Sequence, residues 1–146
     1  MNPNPKGARR SHKGLRLWTH ARALAALSYV APVLRSLRDH WIEMRSQRRR
    51  VRALTNRPGR LDRAAMIAQQ EAMHEASKAS AAYADAQKEL QALEITCVDP
   101  IRGQALFPFM YKKKLAWFLF DLFEEHPLSY WRYQDDPVDV RRPVVP

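Results

Sequence analysis

A dense cluster of arginines near the middle of the chain could bind anions, and no other group of residues signals chemistry as clearly. Eight arginines occur within 19 positions: Arg45, Arg48, Arg49, Arg50, Arg52, Arg57, Arg60 and Arg63. The planar guanidinium group binds phosphates through two hydrogen bonds and stacks on bases. Binding to nucleic acid through several such groups depends strongly on salt. The cluster therefore predicts an anionic partner, for which RNA or the ribosome is the most concrete candidate.

The same cluster also has explanations that do not involve nucleic acid. Arginines at the C-terminal end of a helix interact favourably with its dipole, so a solvated helix end needs no partner. The cluster could also contact another protein or an anionic membrane surface. It contains no aromatic residue, whereas proteins that hold single-stranded nucleic acid combine basic side chains with aromatic ones on which bases stack.

Two stretches have a spacing similar to that of metal ligands in helical bundles. They are Glu71-x-x-His74-Glu75 and His40-x-x-Glu43, and Glu-x-x-His on paired helices is the ligand pattern of di-iron bundles. Antiparallel pairing of the two helices would bring these stretches close together. However, His74 and Glu43 lie off the apolar rows of their helices and face outward. We therefore expect neither a metal nor any other cofactor.

The single cysteine does not indicate catalysis. Cys97 and His126 could act as a nucleophile and a base, but no acid that would orient the histidine is evident. A packed thiol on a strand is the simpler interpretation, so we expect no catalytic residue and no enzymatic activity. One cysteine also excludes an intramolecular disulfide, which suits the reducing cytoplasm.

Charge is distributed unevenly along the 146 residues, whose net charge is +10. Residues 1–60 contain 15 Lys and Arg against two acids, a net of +13, and residues 61–146 contain 10 against 13 acids, a net of −3. A basic half favours binding to a polyanion, although the acidic half of one molecule could neutralise the basic half of another. The longest apolar run, Leu115–Phe123, is far shorter than the ~20 residues of a membrane helix, so we expect no membrane partner.

The arginine cluster lies where one helical pattern ends and another begins. Over residues 19–54, apolar residues recur every seven positions in two rows: Leu27, Leu34, Trp41; and Val30, Leu37, Met44, Val51. Over about 62–94 the repeated residue is alanine: Ala65, Ala72, Ala79, Ala86. Such heptad spacing is typical of a coiled coil, in which helix packs on helix. Pro58 and Gly59 predict a turn between the helices, which would place the cluster at the tip of a long antiparallel helical hairpin.

Two features of this hairpin leave alternatives open. Pro32 lies inside the first pattern and should kink or loosen the helix, unless the helix begins near Pro32 after a separate short one. A lone hairpin of this length buries only part of its apolar surface. We expect either dimerisation into a four-helix arrangement or cover from the C-terminal part of the chain.

The periodicity becomes strand-like over about residues 95–134 and predicts a small antiparallel three-stranded sheet, hence the α+β class. The expected strands are Ala105–Tyr111, Leu115–Phe123 and Leu128–Gln134, with Ile95–Val98 as a further short candidate. Pro108 places its strand at an edge or a bulge, and a run that is apolar on both faces, Leu115–Phe123, predicts a central strand. Seven aromatic residues here are typical of a sheet core, although they could line a pocket: Trp117, Phe118, Phe120, Phe123, Tyr130, Trp131 and Tyr133.

The order of several motifs resembles a bacterial and archaeal family of uncharacterised proteins, a domain of unknown function. The matching residues are Trp18, Thr19, Pro32, Gly103, Phe107, Pro108, Glu125, Tyr130, Trp131, Asp135, Arg141 and Pro143. The resemblance covers about residues 17–144 and implies a helical hairpin followed by the motif-bearing segment, without implying an activity. The chain departs from the family's polar residues at five positions: Leu106, Phe120, Asp121, Glu124 and Arg132.

These observations predict a single domain over residues 17–136, between a disordered basic tail (1–16) and a Pro-rich tail (137–146). The functional prediction is a non-enzymatic, cytoplasmic interaction module whose arginine-rich hairpin tip meets an anionic partner. The alternative is a structural homo-oligomer, a dimer in its simplest form, with no role in nucleic-acid binding.

Overall fold

The computed structural model describes residues 10–11 and 15–145. The basic tail predicted for residues 1–16 falls largely outside these ranges. Its described parts are two short antiparallel strands, β1 (Arg10–Ser11) and β2 (Leu15–Arg16), which pair with one another.

The first helix, α1 (His20–Thr55), begins where the sequence predicts and continues without a break through the proline. The Thr19 hydroxyl accepts a hydrogen bond from the Arg22 N–H at 3.2 Å and so caps the first turn. Pro32 lies on the exposed side of the helix, where water can bond to the carbonyl that loses its usual donor. The chain therefore forms one long helix and not a short helix followed by a second one.

The second helix, α2 (Arg63–Ala92), is set off by a turn that uses glycine and aspartate for different purposes. Gly59 has a φ of +86°, a left-handed conformation that glycine adopts readily. Asp62 then caps α2, because its Oδ1 accepts a hydrogen bond from the Ala65 N–H at 2.8 Å.

The two helices pack antiparallel along the predicted alanine seam. The buried residues of α2 are Ala65, Ala72, Ala79, Ala86 and Leu90, and those of α1 are Ala23, Val30, Val33, Leu34, Leu37 and Met44. Small residues on one helix let the backbones approach, while larger residues on the other fill the space between them.

Two contacts across the hairpin fix its register. The rings of Trp41 and Tyr83 have centroids 5.3 Å apart, and the Gln69 Nε2 donates a hydrogen bond to the Thr55 Oγ1 at 2.9 Å. Both pairs are equally distant in sequence from Asp62. The pairing is therefore centred on the N-cap of α2, three residues later than a pairing centred on the glycine of the turn.

A five-stranded antiparallel sheet follows the hairpin, so the predicted α+β class is confirmed, with two more strands than the three expected. The strands are β3 (Thr96–Asp99), β4 (Gln104–Tyr111), β5 (Lys114–Asp121), β6 (Tyr130–Tyr133) and β7 (Arg142–Pro143). Each pairs with its neighbours in sequence, in the order β3-β4-β5-β6-β7. The last strand comes from the segment predicted to be a Pro-rich tail, which here supplies the edge of the sheet.

The apolar strand β5 occupies the centre of the sheet, as the sequence predicts. Pro108 of β4 lies at a point where, among the described residues, no strand pairs with β4 on the β3 side. Strand β3 pairs with β4 only as far as Leu106. Beyond that point the Pro108 carbonyl accepts a hydrogen bond from the Trp18 N–H at 2.7 Å. Because N–H and C=O of one strand residue point to the same side, the missing N–H of the proline interrupts no ladder there.

One face of the sheet packs against the half of the hairpin that lies away from the turn. The sheet residues in this shared core are Ala105, Phe107, Phe109, Ala116, Phe118 and Phe120. The buried helix residues of this core extend toward the turn as far as Leu37 and Ala86, and the partly buried Tyr83 packs against it. The Arg38 Nε donates a hydrogen bond to the Ile101 carbonyl at 2.8 Å near this limit. The C-terminal part of the chain thus covers this half of the hairpin.

This packing divides the molecule into two regions. The base consists of the sheet with residues 18–38 and 86–95, and the projecting half consists of residues 39–85. The part of α1 that projects spans 17 residues, or about 25 Å at the rise of a helix. Within the described residues, no helix is long and apolar enough to cross a membrane.

Candidate anion-binding site at the hairpin tip

The eight predicted arginines lie along the outer part of the projecting half and around its turn, and every one is exposed. We call these eight residues the arginine tip. Five lie in the last turns of α1 (Arg45, Arg48, Arg49, Arg50 and Arg52). Arg57 and Arg60 lie in the connecting turn, and Arg63 begins α2. Pairing about Asp62 places Arg45 opposite residue 79, about 24 Å along the hairpin from Arg63. The eight cations therefore extend along the projecting half and around its turn.

Four of these arginines line a groove together with a tryptophan. The arginine groove has a volume of about 290 Å³ and is lined by Trp41, Arg45, Arg48, Arg49 and Arg52. These positions follow the i, i+4, i+7, i+8, i+11 spacing of one helix face. The tryptophan is only half-buried, and its ring packs against Tyr83 of α2. An aromatic ring therefore lies within the basic surface.

The sequence prediction omits this tryptophan because it defines the cluster as the range from Arg45 to Arg63. Read along the helix face instead, the same sequence places Trp41 one turn before Arg45. The cluster contains no aromatic residue only because its range begins at Arg45. The helical spacing is the signal in the sequence that places Trp41 beside the arginines.

The positive charge at the tip has no internal neutralisation among the residues that the structure describes. Asp62 is the only acid between Arg45 and Arg63, and its Oδ1 is engaged in capping α2. Glu43, just before the cluster, accepts a hydrogen bond from the Gln47 Nε2 at 2.8 Å. No arginine of the tip forms an ion pair with a carboxylate in the described part of the chain.

The register of the hairpin separates the two stretches considered as metal ligands. Pairing about Asp62 places residue 40 opposite residue 84, whereas residue 74 lies opposite residue 50. The two histidines are thus about ten residues, or about 15 Å, apart along the hairpin. Across residues 10–11 and 15–145, no group of three or more His, Cys, Asp or Glu side chains is placed to hold a metal ion.

The environment of Cys97 disfavours a nucleophile. The residue lies on β3, half-buried opposite Ala105 of β4. Burial raises the pKa of the Cys97 thiol to about 11. Because the thiolate is the reactive form, a thiol with this pKa is almost entirely protonated and unreactive at neutral pH.

The seven aromatic residues are divided between the core and the surface. Phe118 and Phe120 are buried in the shared core, Trp117, Trp131 and Tyr133 are half-buried, and Phe123 and Tyr130 are exposed. Several cations lie over these rings, such as Arg142 at 5.0 Å from the centroid of Tyr133. Most of the group thus belongs to the packing of the sheet.

A comparison with known protein families identifies the chain. The profile of the uncharacterized conserved protein family DUF2203 matches residues 16–144, nearly the whole chain. The protein therefore belongs to this family. Searches among curated proteins and among solved structures find no match to it.

Proposed function

We propose that this member of the DUF2203 family is a non-enzymatic binding module that presents its arginine tip to RNA, free or within the ribosome. In this proposal the hairpin is an antiparallel coiled-coil stalk, and the sheet anchors it. The observation that carries the proposal is the set of eight exposed arginines that, in the described chain, have no carboxylate partner. Like charges held close together repel one another, so a polyanion that binds them relieves an unfavourable arrangement.

The position of the tip supports access by a large partner. The buried core of the base extends along the hairpin only to Leu37 and Ala86, with the partly buried Tyr83 beside it. The arginines therefore lie on the half that projects about 25 Å from the base. An RNA molecule could contact the tip without meeting the sheet.

The arginine groove supports nucleic acid over a simple anion. Arg45 and Arg52 are seven residues apart, or about 10 Å along the helix. DNA duplexes carry roughly one charge per 1.7 Å of axis, so a surface of this length faces several phosphates of a nucleic acid at once. Trp41 adds an aromatic surface beside the cations, which is the combination that proteins use to hold unpaired bases.

The test is the affinity for a pool of mixed RNA sequences between about 50 and 200 mM salt. The wild-type protein should bind more weakly as salt rises, with a slope set by the number of phosphate contacts. The triple variant Arg48→Glu, Arg49→Glu, Arg50→Glu should bind at least about 10-fold more weakly and reduce the slope of log affinity against log salt by about two to three. Weak binding that neither salt nor the triple variant changes would remove RNA as the partner.

A second candidate function is structural self-association through the projecting half. Three large apolar side chains of α2 are about half exposed: Met66 at 53%, Ile67 at 49% and Met73 at 53%. Met66 and Met73 are seven residues apart and so share one helix face. A second copy of the chain could cover this face and complete a four-helix arrangement.

The mass of the protein in solution distinguishes the two candidates. A dimer that Met66→Glu and Met73→Glu together convert to a monomer would favour the structural role, and a monomer at micromolar concentration would remove it. Both proposals place the protein in the cytoplasm, where RNA is abundant and where a single thiol stays reduced.

A further inference from the structure

A cleft on the outer face of the sheet, the face turned away from the helices, combines an apolar floor with two arginines. We propose that this outer cleft binds a small organic anion, a monocarboxylate that carries a short apolar group. The cleft lies in the base and is independent of the arginine tip. Its volume is about 100 Å³, several times the roughly 10–15 Å³ that is needed to hold one water molecule.

The floor of the outer cleft is formed by two leucines on adjacent strands. Leu106 of β4 is directly opposite Leu119 of β5. Because successive side chains of a strand point to opposite faces, both lie on the face away from Phe107 and Phe118, which are in the shared core. Val98 of β3 also lines the cleft, so the floor and this wall are hydrocarbon and can accept an apolar group.

Two guanidinium groups line the same cleft from different elements. Arg132 belongs to β6 and Arg141 comes just before β7. The guanidinium of Arg141 lies 5.8 Å from the centroid of the Tyr130 ring, a contact that holds a cation without neutralising it. Within the described residues, neither arginine forms an ion pair.

The carboxylate that lines the cleft is already engaged elsewhere. Asp121 Oδ2 accepts a hydrogen bond from the Gln104 Nε2 at 3.3 Å, and its Oδ1 accepts one from the Phe123 N–H at 3.1 Å. Two arginines and one internally bonded carboxylate leave the cleft with a net positive charge. A bound carboxylate would supply the missing anion, and its apolar group would cover the leucines.

The test is a titration followed by NMR, with 3-methylbutanoate as the probe and 3-methylbutanamide as its neutral counterpart of the same shape. Saturable shifts of the Leu106, Leu119 and Val98 methyl groups should occur with the carboxylate and should be at least about 10-fold weaker with the amide. Arg132→Gln and Arg141→Gln should each weaken carboxylate binding about 10-fold. The matched control Arg35→Gln, which makes the same change on the exposed side of α1, should leave it unchanged.

Three outcomes would overturn the proposal. Equal affinity of the wild-type protein for the carboxylate and the amide would show that the arginines play no part in recognition. This comparison needs no variant, so it stands even if a variant fails to fold. The absence of saturable shifts at the cleft methyl groups would remove the site itself. Binding of inorganic phosphate without binding of 3-methylbutanoate would show that the apolar floor takes no part in recognition.

Discussion

The base and the tip of this molecule use the same type of residue in opposite ways. In the base, Arg142 donates hydrogen bonds to both carboxylate oxygens of Asp136, at 2.8 and 2.9 Å, and lies over the rings of Trp131 and Tyr133. At the tip, eight arginines are exposed, and none of them meets a carboxylate among the described residues. The base thus supplies a carboxylate for Arg142, whereas the described chain supplies none for the arginines of the tip.

The apolar residues show the same contrast. The base holds a continuous core that joins both helices to the sheet and includes large side chains such as Phe107 and Leu34, which are fully buried. The projecting half buries alanines and one methionine, while Met66 and Met73 of α2 stay about half exposed. The comparison indicates that the base contributes most of the buried core, and it is the basis of our proposal that the tip contacts a partner outside the chain.

The largest expected effect comes from a pair of identical substitutions in the two regions. Leu34→Ala removes a fully buried side chain from the shared core and should lower the free energy of unfolding by about 3 kcal/mol. Leu54→Ala, near the tip, removes a half-buried side chain and should cost about 1 kcal/mol or less. Denaturant unfolding measures both, and equal losses would contradict the division into a folded base and a bare tip.

A pair of glycines gives a smaller but equally matched comparison. Gly103 and Gly59 both have positive φ, +68° and +86°, so alanine is strained at each by about 1–2 kcal/mol. A Cβ at Gly103 would lie 2.5 Å from the Leu122 Cβ, whereas one at Gly59 would meet nothing within 4 Å. Gly103→Ala should therefore destabilise the protein by about 1–3 kcal/mol more than Gly59→Ala. Thermal unfolding of the two variants measures both losses. An equal fall of the melting temperature in the two variants would contradict the prediction.

The smallest expected effect is a dependence of stability on pH that arises from one carboxylate in the base. The hydrogen bonds from Arg142 lower the pKa of Asp136 from 3.8 to about 2. A carboxyl whose pKa is lower in the folded state stabilises the protein above its unfolded pKa and loses that contribution as pH falls toward 2. Between pH 4 and pH 2, the midpoint of thermal unfolding should fall further in the wild-type protein than in Asp136→Asn. Parallel curves would show that the pair contributes nothing.

The helical hairpin could be predicted from the sequence because its signals are local. Heptad spacing of Ala65, Ala72, Ala79 and Ala86 fixes which face of α2 is buried, whatever the rest of the chain does. The sequence predicts the start of α2 at Asp62 correctly, but a pairing centred on Gly59 places the register three residues too early.

The remaining differences arise from contacts between distant parts of the chain. Strand β7 has only two residues, Arg142 and Pro143, and forms because β6 offers an open edge, which no local pattern reveals. The outer cleft likewise joins Arg132 and Arg141 to Leu106 across three elements. The arginine tip was found because its members are close in sequence, whereas the groove at Trp41 required the helix face to be considered.

The central claim is that RNA binds the arginine tip specifically and does not bind equally to any group of exposed cations on the protein. Two charge-matched variants test this claim most directly. Arg48→Glu, Arg49→Glu, Arg50→Glu changes three exposed cations of the tip, and Lys112→Glu, Lys113→Glu, Lys114→Glu changes three exposed cations of the base. At one low salt concentration, the tip variant should raise the dissociation constant for mixed RNA by about 100-fold, and the base variant by no more than about 5-fold. Equal weakening by the two variants, or none by either, would contradict the claim.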